Sequence, residues 1–205
     1  MPRIRALSFA VLAAGLSVGT ITASASDALR PDQVAYRELF RELVETNTTL
    51  SAGNCTEAAE KMAAHLRRAG MPEQDIHLFA VPEHPKEGGL VAVLPGSDPA
   101  TPPMLLLAHL DVVEAKREDW TRDPFTLVEE NGYFYARGVA DDKAMASIWV
   151  DTLVRFLQDG YKPRRTVKLA LTCVATMMEA GHATNALPQR ASANVNCRIY
   201  PGETF

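Results

Sequence analysis

The chain is poor in the features that mark several common protein classes. It has three cysteines in 205 residues, Cys55, Cys173 and Cys197, with no CxxC and no Cys/His cluster at zinc-finger spacing. That argues against a structural zinc module. No Lys/Arg cluster occurs and the formal net charge is −4, which argues against nucleic acid or an anionic membrane as partner. Internal repeats and low-complexity segments are also missing. The most consequential gap is local. After the apolar run 166–172 the chain continues Cys173-Val174-Ala175-Thr176, with no acid until Glu179.

The N-terminus reads as an export signal. Arg3 and Arg5 form a positive end, residues 6–22 are nearly uncharged, and Ala23-Ser24-Ala25 is a small-x-small cleavage pattern. The apolar stretch is short and rich in Gly, Ser and Thr, unlike a membrane anchor. Cleavage after Ala25 would leave 180 of the 205 residues, with 19 basic against 25 acidic side chains, a formal charge of −6. That length suits one domain or slightly more. The expected location is periplasmic or extracellular, with no membrane association after cleavage. An odd cysteine count leaves at least one thiol unpaired, and the sequence does not say which two would join.

Apolar residues recur at helical spacing over 32–48 (Val34, Leu39, Phe40, Leu43, Val44) and over 56–68, where Asn54 or Thr56 can cap the start and Gly70 ends the helix. Strands are predicted at 76–81, 89–94 and 104–110, separated by Pro/Gly-rich stretches at 82–88 and 95–103. The third is apolar almost throughout, which predicts a central strand buried on both faces. Residues 125–137 read as a hairpin turning at Asn131-Gly132. A long helix is predicted over 142–158, with Met145, Ile148, Trp149, Thr152, Leu153, Phe156 and Leu157 as its buried face, followed by a strand over 167–171. Helices alternating with strands predict an α/β domain with a mixed, mostly parallel sheet flanked by helices. Residues 191–199 alternate strictly and read as a strand of another, one-sided sheet.

Two groups of residues carry candidate chemistry. Gly15-Leu16-Ser17-Val18-Gly19 matches a nucleophile elbow, but it lies inside the predicted signal, so the match is chance. The other group is His109 and Asp111 at the end of a strand, followed by Asp141 and Asp142 where a loop enters a helix. Residues two apart on a strand project to one side, at the strand end where open α/β sheets place ligands. An imidazole is a natural zinc ligand and a neighbouring carboxylate can fix its tautomer. By itself His-x-Asp reads better as a hydrogen-bonded structural histidine, and Asp142 fits a helix N-terminal acid.

The order Leu105-Leu106-Leu107-Ala108-His109-Leu110-Asp111, Trp120, Asp123-Pro124-Phe125, Gly132-Tyr133, Ala136-Arg137-Gly138 and Asp141-Asp142-Lys143 resembles the co-catalytic zinc exopeptidases, the family of glutamate carboxypeptidase, aminoacylase, carnosine dipeptidase and succinyl-diaminopimelate desuccinylase. The resemblance implies that His109 is a ligand of one zinc, that Asp141 bridges two zincs, that Asp111 is the catalytic-site carboxylate orienting His109, and that the Asp141–Asp142 peptide is cis. Two zincs about 3.5–4 Å apart would polarise an amide carbonyl and activate water. Residues 181–188 and 194–203 resemble the end of the family's smaller α+β lid domain, which implies substrate-binding roles for Asn185 and Arg198 and a structural role for His182. An arginine fork suits a substrate carboxylate.

The chain departs from that pattern where it matters for catalysis. Val174 and Ala175 stand where the resemblance requires an acidic pair, a general base and a zinc ligand, and most of the lid and the later ligands are missing too. The expected organisation is a signal at 1–25, the N-terminal part of a catalytic domain at 26–172, and a lid remnant at 173–205, internally deleted near residue 172 and truncated at the C-terminus. The expected function is that of an exported zinc metallopeptidase of the carboxypeptidase, dipeptidase or aminoacylase type. Its substrate would be a small peptide or N-acyl amino acid, and its activity would be impaired in this chain. The alternative is a non-catalytic binding module that keeps part of the substrate pocket. Oligomeric state and substrate identity are open.

Overall fold

The computed structural model describes residues 28–173, together with the backbone of residues 176–180 and 191–195. The predicted signal, His182, Asn185, Cys197 and Arg198 lie outside the described residues. Three helices, α1 (Pro31–Glu45), α2 (Cys55–Arg68) and α3 (Lys143–Gln158), pack on a four-stranded sheet ordered β1 (Ile76–Val81), β2 (His84–Leu94), β6 (Val167–Thr172) and β3 (Met104–His109). A hairpin of β4 (Val128–Glu130) and β5 (Tyr133–Tyr135) and a separate antiparallel pair of β7 (Thr176–Ala180) and β8 (Ala191–Val195) complete the elements. The first part of the predicted second-sheet strand, 191–195, pairs with β7; its remainder, 196–199, lies outside the described residues. None of the described helices is long and apolar enough to cross a membrane.

Local chemistry accounts for most boundaries. The Asn54 side chain accepts from the Glu57 backbone N–H at 3.0 Å and caps α2. The β4–β5 turn takes Asn131 and Gly132 at φ 53° and 79°, the left-handed pair that an Asn-Gly turn favours. The hairpin then packs on α1, with the Phe134 ring edge-on to Phe40 at 5.5 Å and Arg41 donating to the Leu127 carbonyl at 3.0 Å.

The core lies on one face of the sheet. Leu90, Ala92, Leu94, Ala108, Val167, Leu169 and Leu171 meet Leu39, Leu43, Ala58, Ala59, Met62, Leu66, Ala146, Val150 and Leu153 from the three helices. Burial alternates strictly along β6, the signature of a sheet covered on one side. This corrects three expectations. First, the sheet is mixed, as predicted, but only the β3–β6 pairing is parallel; β1–β2 and β2–β6 are antiparallel. Second, β3 is the last strand of the sheet among the described residues. Leu107, on the face opposite the buried Ala108, is 37% exposed, so its apolar run is buried on one face and not on both. Third, β2 begins at His84, inside the stretch predicted as a break. Its first residues pair only with β1, because β6 reaches no further than Leu90, and an edge segment tolerates Pro85.

Helix α3 is rotated relative to its predicted face. Leu153 is buried and Trp149, Phe156 and Leu157 pack partly buried on the core, as predicted, but Lys143, Ala146, Ser147 and Val150 are buried too, whereas Met145 and Ile148 are 39% and 42% exposed. The cause is the fully buried Lys143, whose Nζ donates to the carbonyls of Thr46 at 2.7 Å and Val44 at 3.4 Å. Tying the first residue of α3 to the end of α1 fixes which side turns inward. The small residues Ala146 and Ser147 then permit close approach, and Tyr36 Oη and Ser147 Oγ share a hydrogen bond of 3.2 Å.

Urea denaturation tests the rotation, with Leu153, inward on both faces, as the reference and Ile148 as the discriminating residue. Leu153→Ala is expected to cost about 2–5 kcal/mol, the range for truncating a buried leucine. Ile148→Ala is expected to cost under about 1 kcal/mol. The reverse order would contradict the rotation described above.

Candidate metal half-site

His109 closes β3 opposite Thr172, the last residue of β6. The chain leaves the ladder there, and the Leu110 N–H still donates to the Thr172 carbonyl at 2.8 Å. The buried Thr48 hydroxyl donates to the Leu110 carbonyl at 2.6 Å, while Val112 N–H donates to the Thr48 carbonyl at 3.2 Å. These bonds hold residues 110–112 in an extended path, so Asp111 returns beside the ring of His109.

The second wall is the loop from Arg137 to Asp142. Gly138 takes φ +81°, and a Cβ at this position would stand 2.5 Å from Val112 Cγ1 and 3.2 Å from Lys143 Cδ. Glycine therefore satisfies both the left-handed backbone and the close contact. The Arg137 guanidinium lies over the Trp120 ring at 5.0 Å, a cation–π contact. The Asp141–Asp142 peptide is cis, as expected. Asp142 occupies the N-cap of α3, but its carboxylate accepts from the His109 backbone N–H at 3.3 Å and makes no side-chain cap bond. Its helix-terminal position was readable from the sequence; its bond to the strand end was not.

His109, Asp111 and Asp141 come together as predicted. His109 Nδ1 lies 3.1 Å from the Asp111 carbonyl oxygen and 3.4 Å from Asp111 Oδ1. Its Nε2 lies 2.9 Å from Asp141 Oδ1, on a carboxylate that is 90% exposed. A carboxylate behind one ring nitrogen is the arrangement that orients a ligating histidine, and here the other nitrogen faces the Asp141 carboxylate. Asn185 and Arg198, the predicted substrate-binding pair, lie outside the described residues, and so does the full extent of the lid.

The donors fit a divalent metal in kind. Ligand atoms on a tetrahedral zinc with bonds of about 2.0–2.1 Å stand roughly 3.3 Å apart, close to the 2.9 Å between His109 Nε2 and Asp141 Oδ1. They do not fit in number. No group of three or more His, Cys, Asp or Glu side chains converges among the described residues, whereas a catalytic zinc takes three protein ligands. A cavity of about 690 Å³ opens beside this pair, lined among others by Trp120, Tyr135, Arg137 and Val139.

Electrostatics among these side chains favour a protonated ring. The His109 imidazole is raised from 6.5 to about 9, first by its hydrogen bond with Asp111, against an opposing effect of burial, and further by Asp141. Burial pushes Lys143 down to about 8. Lys143 was visible only as the residue after two aspartates; its burial has no signal in the sequence, because lysine ordinarily reads as surface.

The fold and this half-site define a class: a one-sided α/β layer with a histidine and carboxylates at the C-terminal end of a parallel strand. Residues 105–174 match the model of peptidase family M20/M25/M40. The human N-fatty-acyl-amino acid synthase/hydrolase PM20D1 is 31% identical over 144 residues, which are 69% of this chain and 28% of that protein. Mouse aminoacylase-1 is 31% identical over 134 residues, 64% of this chain and 31% of its own length. Among solved structures, an M20 family metallo-carboxypeptidase from Sulfolobus solfataricus superposes with a TM-score of 0.56 at 19% identity, covering 70% of this chain and 31% of that one. The chain belongs to peptidase family M20 and carries part of its catalytic domain. It spans under a third of the length of these curated relatives.

The pKa shift has a defined consequence for stability. Because the folded value lies above the unfolded one, the protonated ring contributes stability that is fully present below pH 6.5 and lost as pH rises through about 9. Histidine NMR in the presence of a chelator is expected to place the His109 inflection near 9, and Asp111→Asn is expected to lower it. A wild-type inflection near 6.5 would contradict the pairing.

Proposed function

We propose that the chain is part of an exported, zinc-dependent M20 hydrolase that cleaves the amide bond of a small N-acyl amino acid or dipeptide, and that the 205-residue polypeptide by itself has negligible activity. The observation that carries this reading is the His109–Asp111–Asp141 geometry, with an oriented imidazole facing an exposed carboxylate and no third donor among the described residues. The substrate class is supported by the relatives, an N-fatty-acyl-amino acid synthase/hydrolase and an aminoacylase. Export rests on Arg3, Arg5 and Ala23-Ser24-Ala25; a mature N-terminus at Ser26 in the exported fraction is the matching observation, and retention of Met1 there would contradict it.

His109 and Asp141 would hold one side of the metal, and Asp111 would keep the His109 ring turned toward it. Zinc, when bound by a complete ligand set, supplies a polarised carbonyl and an activated water. No acid occupies Val174 or Ala175, so general-base assistance, worth roughly 10²–10⁴ in rate, is lost. Residues 173–205 are read as a lid remnant in which Asn185 and Arg198 meet the substrate carboxylate.

The test is hydrolysis of N-acetyl amino acids and dipeptides by purified protein supplied with zinc, compared with a His109→Ala variant. Both are expected to run at the uncatalysed rate. Robust turnover by the wild type that a chelator abolishes and His109→Ala lacks would overturn the inactivity and leave the family reading intact.

A further inference from the structure

A second cavity, of about 550 Å³, lies on the other side of Asp111. Its wall includes Thr48, Gly53, Asp111 and two cysteines, Cys55 and Cys173. Cys55 is the first residue of α2 and is 2% exposed; Cys173 follows β6 directly, is half-buried, and packs against the same core. The two thiols are in hydrogen-bonding contact. They come from segments far apart in sequence, and both backbones are held in place. Gly53 N–H donates to the Thr49 carbonyl and Asn54 N–H to the Asn47 carbonyl, each at 2.9 Å. A Cβ on Gly53 would strike the backbone nitrogen of Thr49 at 2.3 Å, so this turn cannot drift. Cys173 is positioned by Thr172, whose carbonyl accepts from Leu110 N–H at 2.8 Å.

We propose that Cys55 and Cys173 form an intramolecular disulfide, which makes this cavity a thiol-oxidation site next to the metal half-site. The inference stands apart from the hydrolase reading, since it needs only the contact between the two sulfurs and an oxidant. The oxidant is a low-molecular-weight disulfide. Cys173, the more accessible of the two, loses its proton and attacks one sulfur of that disulfide, and a thiolate leaves. Cys55 then loses its proton and attacks the Cys173 sulfur, and the second thiolate leaves. Two S–H bonds are lost, one S–S bond of about 2.05 Å forms, and the external disulfide is reduced to two thiols. The hydrogen bond with Cys173 and burial both push the Cys55 thiol well above its ordinary range, so Cys173 and not Cys55 makes the first attack.

The bond would join the start of α2 to the end of β6, beside the residue that pairs with His109. It would close most of the described domain into one loop, the case in which a cross-link restrains the unfolded chain most. Cys197 lies outside the described residues, and nothing in the cavity requires it.

The experiment treats the folded full-length protein with oxidised glutathione and maps its peptides by mass spectrometry without reductant. The expected product is one cross-linked peptide pair containing Cys55 and Cys173, about 2 Da lighter than the two free peptides and lost on reduction. A Cys197→Ser variant is expected to form the same pair. The oxidised protein is expected to melt higher than the reduced one, roughly by 5–15 °C, and Cys173→Ser is expected to abolish that shift. A map joining Cys197 to either partner, intermolecular products only, or full alkylation of both thiols after oxidation would overturn the proposal.

Discussion

The parallel ladder between β3 and β6 is the constraint on which the rest of the structure depends. It runs from Met104 opposite Val167 to His109 opposite Thr172. Its inward residues Ala108, Leu169 and Leu171 are fully or almost fully buried, so a slip by one residue would turn the core leucines outward. The same register decides where the imidazole of His109 stands and where the chain emerges as Cys173. One pairing therefore fixes both the metal half-site and the thiol pair, on opposite sides of Asp111.

Lys143 imposes the second constraint. Its ammonium is taken out of water and answered by two main-chain carbonyls at the end of α1. A buried charge is tolerable only with such partners. The bond sets the rotation of α3 and draws the Gly138–Asp142 loop against Val112, so that Asp141 faces His109. Loss of this lysine's partners would disturb the helix layer and the half-site together, because both begin at the same residue.

Much of this was legible in the sequence, for reasons that are local. Asn54 caps α2 through its own side chain, Asn131-Gly132 supplies the left-handed pair of the hairpin turn, and His109 closes a strand with Asp111 two residues beyond it. Two of the errors are matters of layering. The run from Met104 to Ala108 reads as doubly buried because periodicity reports hydrophobicity and not the number of layers laid over a strand. The α3 face was misplaced because Met145 and Ile148 outweigh Ala146 in apolar content, whereas packing chose the small residues and the buried lysine. The Cys55–Cys173 contact joins distant segments, and three cysteines give no pattern from which to choose a pair. Asn185 and Arg198 rest on resemblance alone.

The central claim is that the chain holds an oriented half of a metal site, built from His109 and Asp141 with Asp111 behind the ring. Cobalt(II) reports this most directly, since its visible spectrum distinguishes a tetrahedral, protein-held ion from a largely hydrated octahedral one. Addition of cobalt(II) to the purified protein is expected to give only weak octahedral bands, shifted from those of the aqua ion, and His109→Ala is expected to show the aqua-ion spectrum alone. Intense tetrahedral bands at one or two equivalents would contradict the account, because they would require ligands beyond the two donors that converge here.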